Sequence, residues 1–457
     1  MLPGIRRLGR ARTDLIAGVT VAAYMVPQVM AYAQVAGLPP AAGLWASLGP
    51  LAVYAWLGSS KRLSAGPEST TALLTATSIG PLAAGDPHKY AALAAALALI
   101  VGVICLLGRL ARLGFLADLL SRPVLTGYMA GIAVIMIAGQ LGRVTGIPVS
   151  GDSPVAEIRY AITHLSEIVP ATAVLSACVL VFLLLAARLA AWFPGPLVAM
   201  LLATAVVAVF GLDVSTVGAI PAGLPIPAIP DVTMNDLATL LLPAVGLTIV
   251  GYTDTVLTAR AFAGRRHEAV DSNTEMLALG ACNISAGVLQ GFPVSSSGSR
   301  TAIADALGAR SQLYSIVTLG TVLVAILLGR DLLAAFPTAA LGAVVVYAAL
   351  RLIDIGELRR IGHFRLSELA LALATVAGVL ALGVLYGVLV ALALSILDMF
   401  RRVARPHDGI LGYAPGVPGM HDIDDYPDAR EMYSEYLEFS GFEMAPEGFD
   451  PPLSPSA

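Results

Sequence analysis

The stretch Gly291–Ile303, GFPVSSSGSRTAI, puts a run of serines and an arginine into a chain that is otherwise strongly apolar. Of the 457 residues, 57% are hydrophobic and 13% are charged, and the mean hydropathy is +0.81. Soluble globular proteins contain about one quarter charged residues, so this composition indicates a polytopic membrane protein. In that setting Arg300 costs about 2.5–3.5 kcal/mol unless it faces a cavity, a substrate or a carboxylate.

Apolar segments long enough to cross a bilayer recur along the chain. A transmembrane helix needs about 20 predominantly apolar residues. Twelve segments approach this length, near residues 14–36, 41–58, 89–108, 123–142, 168–187, 195–212, 236–259, 270–290, 311–329, 332–350, 366–384 and 385–404. Two shorter segments, 66–80 and 292–307, begin with a proline near a glycine and continue through hydroxyl residues. Counting both, we predict an all-α polytopic membrane protein with about fourteen membrane segments.

The distribution of lysine and arginine supports counting both short segments as crossings. With the N-terminus in the cytoplasm and alternating sides, the inner loops carry twenty-one cationic residues and the outer loops carry four. Cytoplasmic loops are enriched in lysine and arginine, and omitting either short segment removes this asymmetry. We therefore expect a multi-pass protein of the inner, or plasma, membrane with both termini in the cytoplasm.

The two short segments occupy corresponding places in the two halves of the chain. Each is the third membrane element after an acidic residue, Asp14 in the first half and Asp236 in the second. Seven elements precede the proline-rich stretch Ile220–Pro230 and seven follow it, so the second half is an inverted repeat of the first. The expected divisions are an N-terminal segment, a first repeat, a linker, a second repeat and a cytoplasmic tail, at 1–13, 14–212, 213–235, 236–405 and 406–457.

Paired short segments interrupted by glycine and proline indicate a transporter binding site. A helix that begins within the bilayer leaves its first amide N–H groups without partners and carries about half a positive charge at that end. Hydroxyl residues follow both starts: Ser69, Thr70 and Thr71 in the first segment, and Ser295, Ser296, Ser297 and Ser299 in the second. Two such ends facing each other would bind an anion, to which Arg300 would add a full positive charge. The alternative is that the serines only join neighbouring helices.

Two carboxylates lie within the apolar part of the chain. Glu68 precedes the first half-helix, and Asp254 lies in the first span of the second half. Ionisable residues inside membranes commonly belong to substrate or ion pathways. We expect one of the two to couple transport to H⁺ or Na⁺. The alternative is a fixed ion pair between either carboxylate and Arg300.

Other chemistries have less support. The run SSSGSR lacks the Gly-x-Ser-x-Gly elbow of serine hydrolases, and GPESTT lacks the Gly-Lys ending of a phosphate-binding loop. No group of histidines and cysteines has the spacing of metal ligands. We expect no catalytic residue, metal, cofactor or nucleic-acid partner.

The first span contains the pattern VPQ-MAYA--AGLPP--GL, and LSAGPE follows it. With GYTDTVLTAR and GFPVSSSGSRTAI, this pattern resembles the SulP family of sulfate-permease and prestin-like anion transporters over about residues 13–405. The resemblance implies two inverted seven-segment repeats, a core and a gate domain, and half-helices as segments three and ten. Members of the family carry inorganic anions or C4-dicarboxylates as symporters, exchangers or channels.

The resemblance also implies the residues of the site. The anion is expected between the N-termini of segments three and ten. The implied substrate-binding residues are Gln28, Tyr32, Glu68, Ser69, Thr70, Ser297, Gly298, Ser299 and Arg300. Asp254 with Thr258 matches an acidic position that is tied to cation coupling in some relatives.

The end of the chain departs from this resemblance. Family members usually carry a cytoplasmic STAS domain of about one hundred residues or more after the last span. Here roughly fifty residues follow Arg405, and their acidic, proline-containing remainder is too short to close such a core. We expect a truncated or remnant STAS region, with a short helix near 428–439.

These observations predict a secondary active anion transporter that works by alternating access. Proton-coupled symport of a small C4-dicarboxylate such as fumarate is preferred over transport of sulfate or bicarbonate. The alternatives are an anion exchanger or channel on the same scaffold and, with less support, a membrane serine enzyme using Ser297 or Ser299, or a nucleobase permease. The expected partners are the anion, H⁺ or Na⁺, the bilayer and a second copy in a homodimer.

Overall fold

The computed structural model describes residues 3–404 apart from positions 84, 119–121, 150–153, 190–192, 222, 265–267 and 365, and two strands beyond them. The helices are α1 Pro3–Val35, α2 Pro40–Leu57, α3 Ser69–Ala83, α4 Pro87–Leu110, α5 Arg122–Ala138, α6 Leu141–Thr145, α7 Pro154–Thr163, α8 Pro170–Leu189, α9 Gly195–Phe210, α10 Met234–Gly264, α11 Ser272–Val288, α12 Gly298–Ala306, α13 Leu313–Leu328, α14 Arg330–Ala334, α15 Thr338–Leu352, α16 Ile355–Phe364 and α17 Leu366–Ala404. The strands are β1 Ala65–Gly66, β2 Ser295–Ser296, β3 Leu411–Tyr413 and β4 Met420–Asp422.

The predicted membrane segments coincide with apolar helices, which confirms the all-α class. Five helical stretches in the described residues have the length and hydropathy of membrane spans: Arg12–Val35, Pro87–Leu110, Pro170–Arg188, Met234–Ala263 and Thr338–Gly362. Four shorter apolar helices accompany them: Pro123–Ala138, Gly195–Phe210, Leu313–Leu328 and Glu368–Gly383. The total of fourteen segments stays a prediction.

The long helix α17 contains a break that separates two of the predicted segments. Gly383 has φ 83° and ψ 172°, which lie outside the helical region. Glycine adopts positive φ without the steric cost that a Cβ imposes. The break lies at the predicted junction between 366–384 and 385–404. The sequence did not predict the short helices α6, α7, α14 and α16, which connect the longer ones.

Two short strands, β1 and β2, pair where the half-helices begin, and their paired region forms the strand crossing. β1 pairs antiparallel with β2, with Ala65 opposite Ser296 and Gly66 opposite Ser295. The N–H of Ser297 extends this pairing by donating to the Ser64 carbonyl over 2.9 Å. Because paired antiparallel strands run in opposite directions, the helices that follow them leave the crossing in opposite directions. Both short segments are therefore interrupted elements, an extended piece followed by a short helix.

The helices before and after the linker interleave to form a core domain, here α1–α4 with α10–α13. Its most extensive packing joins α4 to α11, α1 to α13 and α2 to α11. Glycines allow this close approach. A Cβ on Gly102 would lie 2.8 Å from the Gly280 carbonyl oxygen, and one on Gly18 would lie 2.6 Å from the Tyr314 carbonyl oxygen. Small residues at such contacts are the usual means of tight helix packing in membranes.

The remaining helices form a gate domain, here α5–α9, α14–α16 and α17 as far as Ile396. Helix α15 packs on α5, α8 and α9. A Cβ on Gly131 would lie 2.9 Å from the Val379 Cβ, so α5 and α17 also approach closely. Helix α1 contacts α9 and α15 across the domain boundary. Within the described residues, no glycine has its close neighbours across that boundary.

The predicted linker is an extended segment that is hydrogen-bonded to both domains. Near its start, the N–H of Val217 donates to the Phe336 carbonyl over 2.9 Å, in the gate domain. Near its end, the N–H of Ala228 donates to the Val288 carbonyl over 3.0 Å, in the core domain. The segment between these anchors therefore passes from one domain to the other.

A second compact unit comprises Leu397–Ala457. Its described strands β3 and β4 pair antiparallel, with Leu411 opposite Asp422 and Tyr413 opposite Met420. The predicted helix near 428–439 lies outside the described residues.

Candidate functional site

A cavity of about 320 Å³ lies beside the strand crossing, between the core and gate domains. The core domain lines it from four elements: α1, the start of α3, α10, and the β2–α12 segment. The gate domain lines it with the last turns of α15. The lining residues are Tyr24, Gln28, Tyr32, Glu68, Ser69, Asp254, Thr258, Ser296, Ser297, Gly298, Ser299, Ala302, Tyr347, Ala348, Arg351 and Leu352.

Helix α1 presents a row of polar side chains to the cavity. Tyr24, Gln28 and Tyr32 are spaced by four residues and therefore lie on one face of the helix. The Gln28 side-chain amide donates to the Tyr32 hydroxyl over 2.9 Å and to the Ser299 hydroxyl over 3.5 Å. This row links the first span to the second half-helix.

The first half-helix has a carboxylate at its N-terminal end. The N–H of Thr70 donates to Glu68 Oε2 over 2.6 Å, and the Ser69 hydroxyl donates to Glu68 Oε1. A negative side chain in this position satisfies an open amide and is stabilised by the helix dipole. From the sequence, free amides were expected at the N-terminal ends of both half-helices. In the structure the Glu68 carboxylate binds the Thr70 amide of α3, which corrects that expectation for the first half-helix.

The second half-helix begins with a neutral cap. The Ser297 hydroxyl accepts from the N–H of Arg300 over 3.5 Å and lies 3.2 Å from the Ser299 hydroxyl. Gly298 is exposed, and a Cβ added to it would meet no atom within 4 Å. The start of α12 therefore presents hydroxyls and an accessible backbone to the cavity, with no carboxylate bound to its amides in the described structure.

Arg300 is fully buried behind the crossing, with 0% of its surface exposed. Its Nη1 donates to Gln28 Oε1 and to the Pro67 carbonyl, each over 3.0 Å, and its Nε donates to the Ser64 hydroxyl over 3.2 Å. Its Nη2 is buried without a hydrogen-bond partner. Arg300 does not line the cavity, because its guanidinium is bonded to Gln28 and to the segment between α2 and α3. Its direct contact with substrate stays a prediction.

Thr70 is the other predicted ligand that does not border the cavity. Its side chain is buried, and its hydroxyl lies 3.7 Å from the Met129 Sδ of α5. Its backbone N–H is bound to Glu68. The remaining predicted residues, Gln28, Tyr32, Glu68, Ser69, Asp254, Thr258, Ser297, Gly298 and Ser299, line the one cavity together.

The two intramembrane carboxylates share this cavity and are not paired with Arg300. Asp254 accepts from the Ser296 hydroxyl over 3.4 Å, and Thr258 lies one turn further along α10. Neither carboxylate forms an ion pair with Arg300, all three being described residues. The alternative of a fixed ion pair is therefore wrong for this structure.

The gate-side wall of the cavity was not predicted from the sequence. Tyr347 and Arg351 lie four residues apart on α15 and both face the cavity, as does Ala348 between them. In the sequence, Arg351 counts only as one of the twenty-one cationic residues of the predicted inner loops. Its spacing from Tyr347, at the end of an apolar helix, was the signal that could have indicated an inward face.

Comparison with known proteins identifies the family. The sequence model of the Sulfate permease family matches residues 12–393. The chain belongs to the sulfate permease family. A relative from Mycobacterium tuberculosis (strain CDC 1551 / Oshkosh), named "Probable sulfate transporter MT1781", is 59% identical over 92% of this chain and 76% of that protein.

Solved structures show the same fold. The murine Solute Carrier 26 family member A9, an anion transporter in the inward-facing state, has a TM-score of 0.80 at 22% identity. The alignment covers 94% of this chain and 78% of that one. The transmembrane domain of a cyanobacterium bicarbonate transporter, BicA, has a TM-score of 0.74 at 24% identity, over 84% of this chain and 97% of that one.

Membership of the sulfate permease family gives the coarse function. The chain is a multi-pass membrane protein that transports anions, and it is not an enzyme. The serine-enzyme and nucleobase-permease alternatives are thereby set aside.

Proposed function

We propose that the protein is a proton-coupled symporter of a small divalent anion, with sulfate and C4-dicarboxylates such as fumarate as its candidate substrates. The anion binds at the N-terminus of α12, among the Ser297 and Ser299 hydroxyls and the backbone of Gly298. Glu68 carries the coupled proton, with Asp254 as the second acidic group of the cavity.

The carboxylate cap on α3 is the observation that carries this proposal. Glu68 accepts from the N–H of Thr70 and from the Ser69 hydroxyl at the wall of the cavity. A charged Glu68 repels an entering anion and occupies the donors that the anion would use. Protonation removes the charge and weakens both bonds, so proton binding and anion binding favour each other.

Asp254 strengthens the argument for coupling. It lines the same cavity as Glu68 and faces the site from α10. Moving a divalent anion into a cavity with two carboxylates is unfavourable in a medium of low dielectric constant unless a cation enters as well. Thr258 and Ser296 add oxygen atoms near Asp254, so Na⁺ is the alternative coupling ion.

The candidate substrates follow from the size and lining of the cavity. A volume of about 320 Å³ accommodates sulfate or a four-carbon dicarboxylate with water. Hydroxyl, amide and backbone donors suit oxyanions and carboxylates alike. The name of the Mycobacterium tuberculosis relative favours sulfate as the first anion to test.

Alternating access by movement of the core domain against the gate domain is the proposed mechanism. Close glycine packing lies inside each domain and not between them among the described residues, as expected for two rigid bodies. We further propose that both termini lie in the cytoplasm, that the protein resides in the plasma membrane, and that it forms a homodimer. The linker and repeat boundaries stay predictions.

Uptake into proteoliposomes tests the proposal. Labelled sulfate and fumarate are offered with an inward proton gradient, an inward Na⁺ gradient or neither, with protein-free liposomes as control. We expect saturable accumulation of one divalent anion that requires the proton gradient. Accumulation driven by Na⁺ alone contradicts proton coupling. Uptake that needs an internal counter-anion, or a conductance without accumulation, contradicts symport in favour of an exchanger or a channel.

A further inference from the structure

A second, smaller cavity of about 110 Å³ adjoins the main one. The two cavities share five lining residues: Tyr24, Ser299, Ala302, Tyr347 and Arg351. The smaller cavity continues between α12 and the gate helices α8 and α9, where Leu183, Phe193 and Pro196 line it. An anion that reaches the start of α12 by this route passes Arg351.

Arg351 is the sole cationic side chain among the described residues that line either cavity. The acidic side chains of the lining are Glu68 and Asp254, which are negatively charged when ionised. Arg300 does not contribute at the surface because it is fully buried and turned toward Ser64 and Pro67. Arg351, in contrast, is exposed. Without it, the described wall of the main cavity would carry only negative charge, and that of the smaller cavity would carry none.

We propose that Arg351 steers anions in transport: it attracts the anion into the cavity and offsets the two carboxylates during entry. It acts from the gate domain, on α15, whereas the binding donors lie on α1 and α12 of the core domain. A localised charge at the mouth of a cleft raises the rate at which an oppositely charged solute enters, and salt screens this effect.

The position of Arg351 makes its effect one-sided. This inference rests on the proposed movement of the core domain against the gate domain. When the core domain moves, the donors of α12 leave α15 and carry the anion away from Arg351. Arg351 therefore acts on anions that enter from the face at which these cavities open, and not on those that enter from the opposite face.

The test compares Arg351→Gln with Arg351→Lys, using Arg359→Gln as a matched control. Arg359 is an exposed arginine on α16 that lines neither cavity. Sulfate uptake is measured from each face in inside-out and right-side-out vesicles, over a range of ionic strength. We expect Arg351→Gln to raise KM about tenfold from one face and to flatten its dependence on salt. Arg351→Lys should restore most of both properties, and Arg359→Gln should resemble the wild type.

The outcomes separate this inference from the proposed function. Wild-type vesicles that transport none of the tested anions contradict the proposed function. Wild-type transport with an unchanged KM and salt dependence in Arg351→Gln overturns only the role of Arg351. An equal loss from both faces, or a loss that Arg351→Lys does not restore, also overturns it, because either result indicates a structural role.

Discussion

The two half-helices start from the same strand crossing, yet different groups occupy their N-terminal ends. α3 begins against the Glu68 carboxylate, which binds the Thr70 amide. α12 begins with the neutral Ser297 hydroxyl and the exposed Gly298. An inverted repeat thus builds an asymmetric site. In the proposed mechanism, the first half supplies the negative group that responds to protons, and the second half supplies the helix end that binds the anion.

The segment between α2 and α3, the first connector, and the segment between α11 and α12, the second connector, differ in the same way. In the first, the buried Glu275 of α11 accepts from four donor groups, the Tyr54 hydroxyl, the N–H and hydroxyl of Ser59 and the N–H of Ser60. In the second, the neutral Asn283 of α11 pairs with both the N–H and the carbonyl of Val294, each over 3.0 Å. A charge anchors one connector, and an amide anchors the other.

Arg300 joins the two regions, and its loss should have the largest effect. Arg300→Ala removes the donor for Gln28, Ser64 and Pro67, and a buried acceptor without a donor costs about 1–3 kcal/mol. We expect no measurable uptake and a lower melting temperature in detergent. Arg300→Lys, which keeps the charge but cannot reproduce the planar fork, should recover part of the stability. Full uptake by Arg300→Ala would show that the contacts of Arg300 at the strand crossing are not needed for transport.

Replacing the side chain at the N-terminal end of each half-helix should have the next largest effect. Glu68→Gln imitates the protonated acid, so uptake should no longer depend on the pH gradient while anion binding persists. Ser297→Ala should instead weaken anion binding about ten- to a hundredfold, as expected for a lost hydrogen bond to a charged group worth about 1.5–3 kcal/mol, and keep the pH dependence. Both are measured as initial uptake rates over anion concentration and external pH. Normal pH dependence in Glu68→Gln would contradict the proposed difference between the two half-helix ends.

The two connectors should differ in their contribution to stability. Glu275→Gln places an amide N–H₂ among N–H and hydroxyl donors, and we expect a loss of about 3 kcal/mol or more. Asn283→Ala leaves one N–H and one carbonyl of Val294 without partners, for a loss of about 1–3 kcal/mol. Melting temperatures in detergent give the order, with the shift for Glu275→Gln the larger. The reverse order would contradict the view that charge anchors the first connector.

The smallest effect concerns Asp271, which is exposed and caps the N-terminus of α11. Hydrogen bonds from the Thr274 hydroxyl and the N–H of Asn273 lower the pKa of Asp271 below its ordinary value. A lowered folded-state pKa contributes stability above the ordinary pKa, and this is lost as pH falls through the lowered value. Asp271→Ala should reduce stability at neutral pH by about 1 kcal/mol. The difference in melting temperature should vanish in acid, and a difference independent of pH would argue against the cap.

The sequence was sufficient to predict the broken segments, because both are shorter than an ordinary span and begin with a proline near a glycine that hydroxyl residues follow. It was also sufficient to predict that Gln28, Glu68 and Ser297 lie together, through the family resemblance. It could not reveal which way Arg300 points. That direction depends on the pairing of Gly66 with Ser295, a contact between residues far apart in the chain.

The gate-side residues were missed for a related reason. Whether Arg351 faces the cavity or the bulk solvent depends on the rotation of α15 against α1, which packing with α5, α8 and α9 determines. The cap on α3 was missed because glutamate is not among the preferred N-cap residues. Its role follows from its position directly before Ser69, from which the Glu68 carboxylate reaches the Thr70 amide.

Locating a heavy anion tests the central claim most directly. Selenate resembles sulfate in charge and shape and can be located by anomalous diffraction from crystals of the complete chain. The account predicts one selenium peak within hydrogen-bonding reach of the Ser297 and Ser299 side chains and the Gly298 backbone, with Glu68 still beside Thr70 or turned away by protonation. A peak remote from the start of α12, or an anion held at α3 alone, would contradict it.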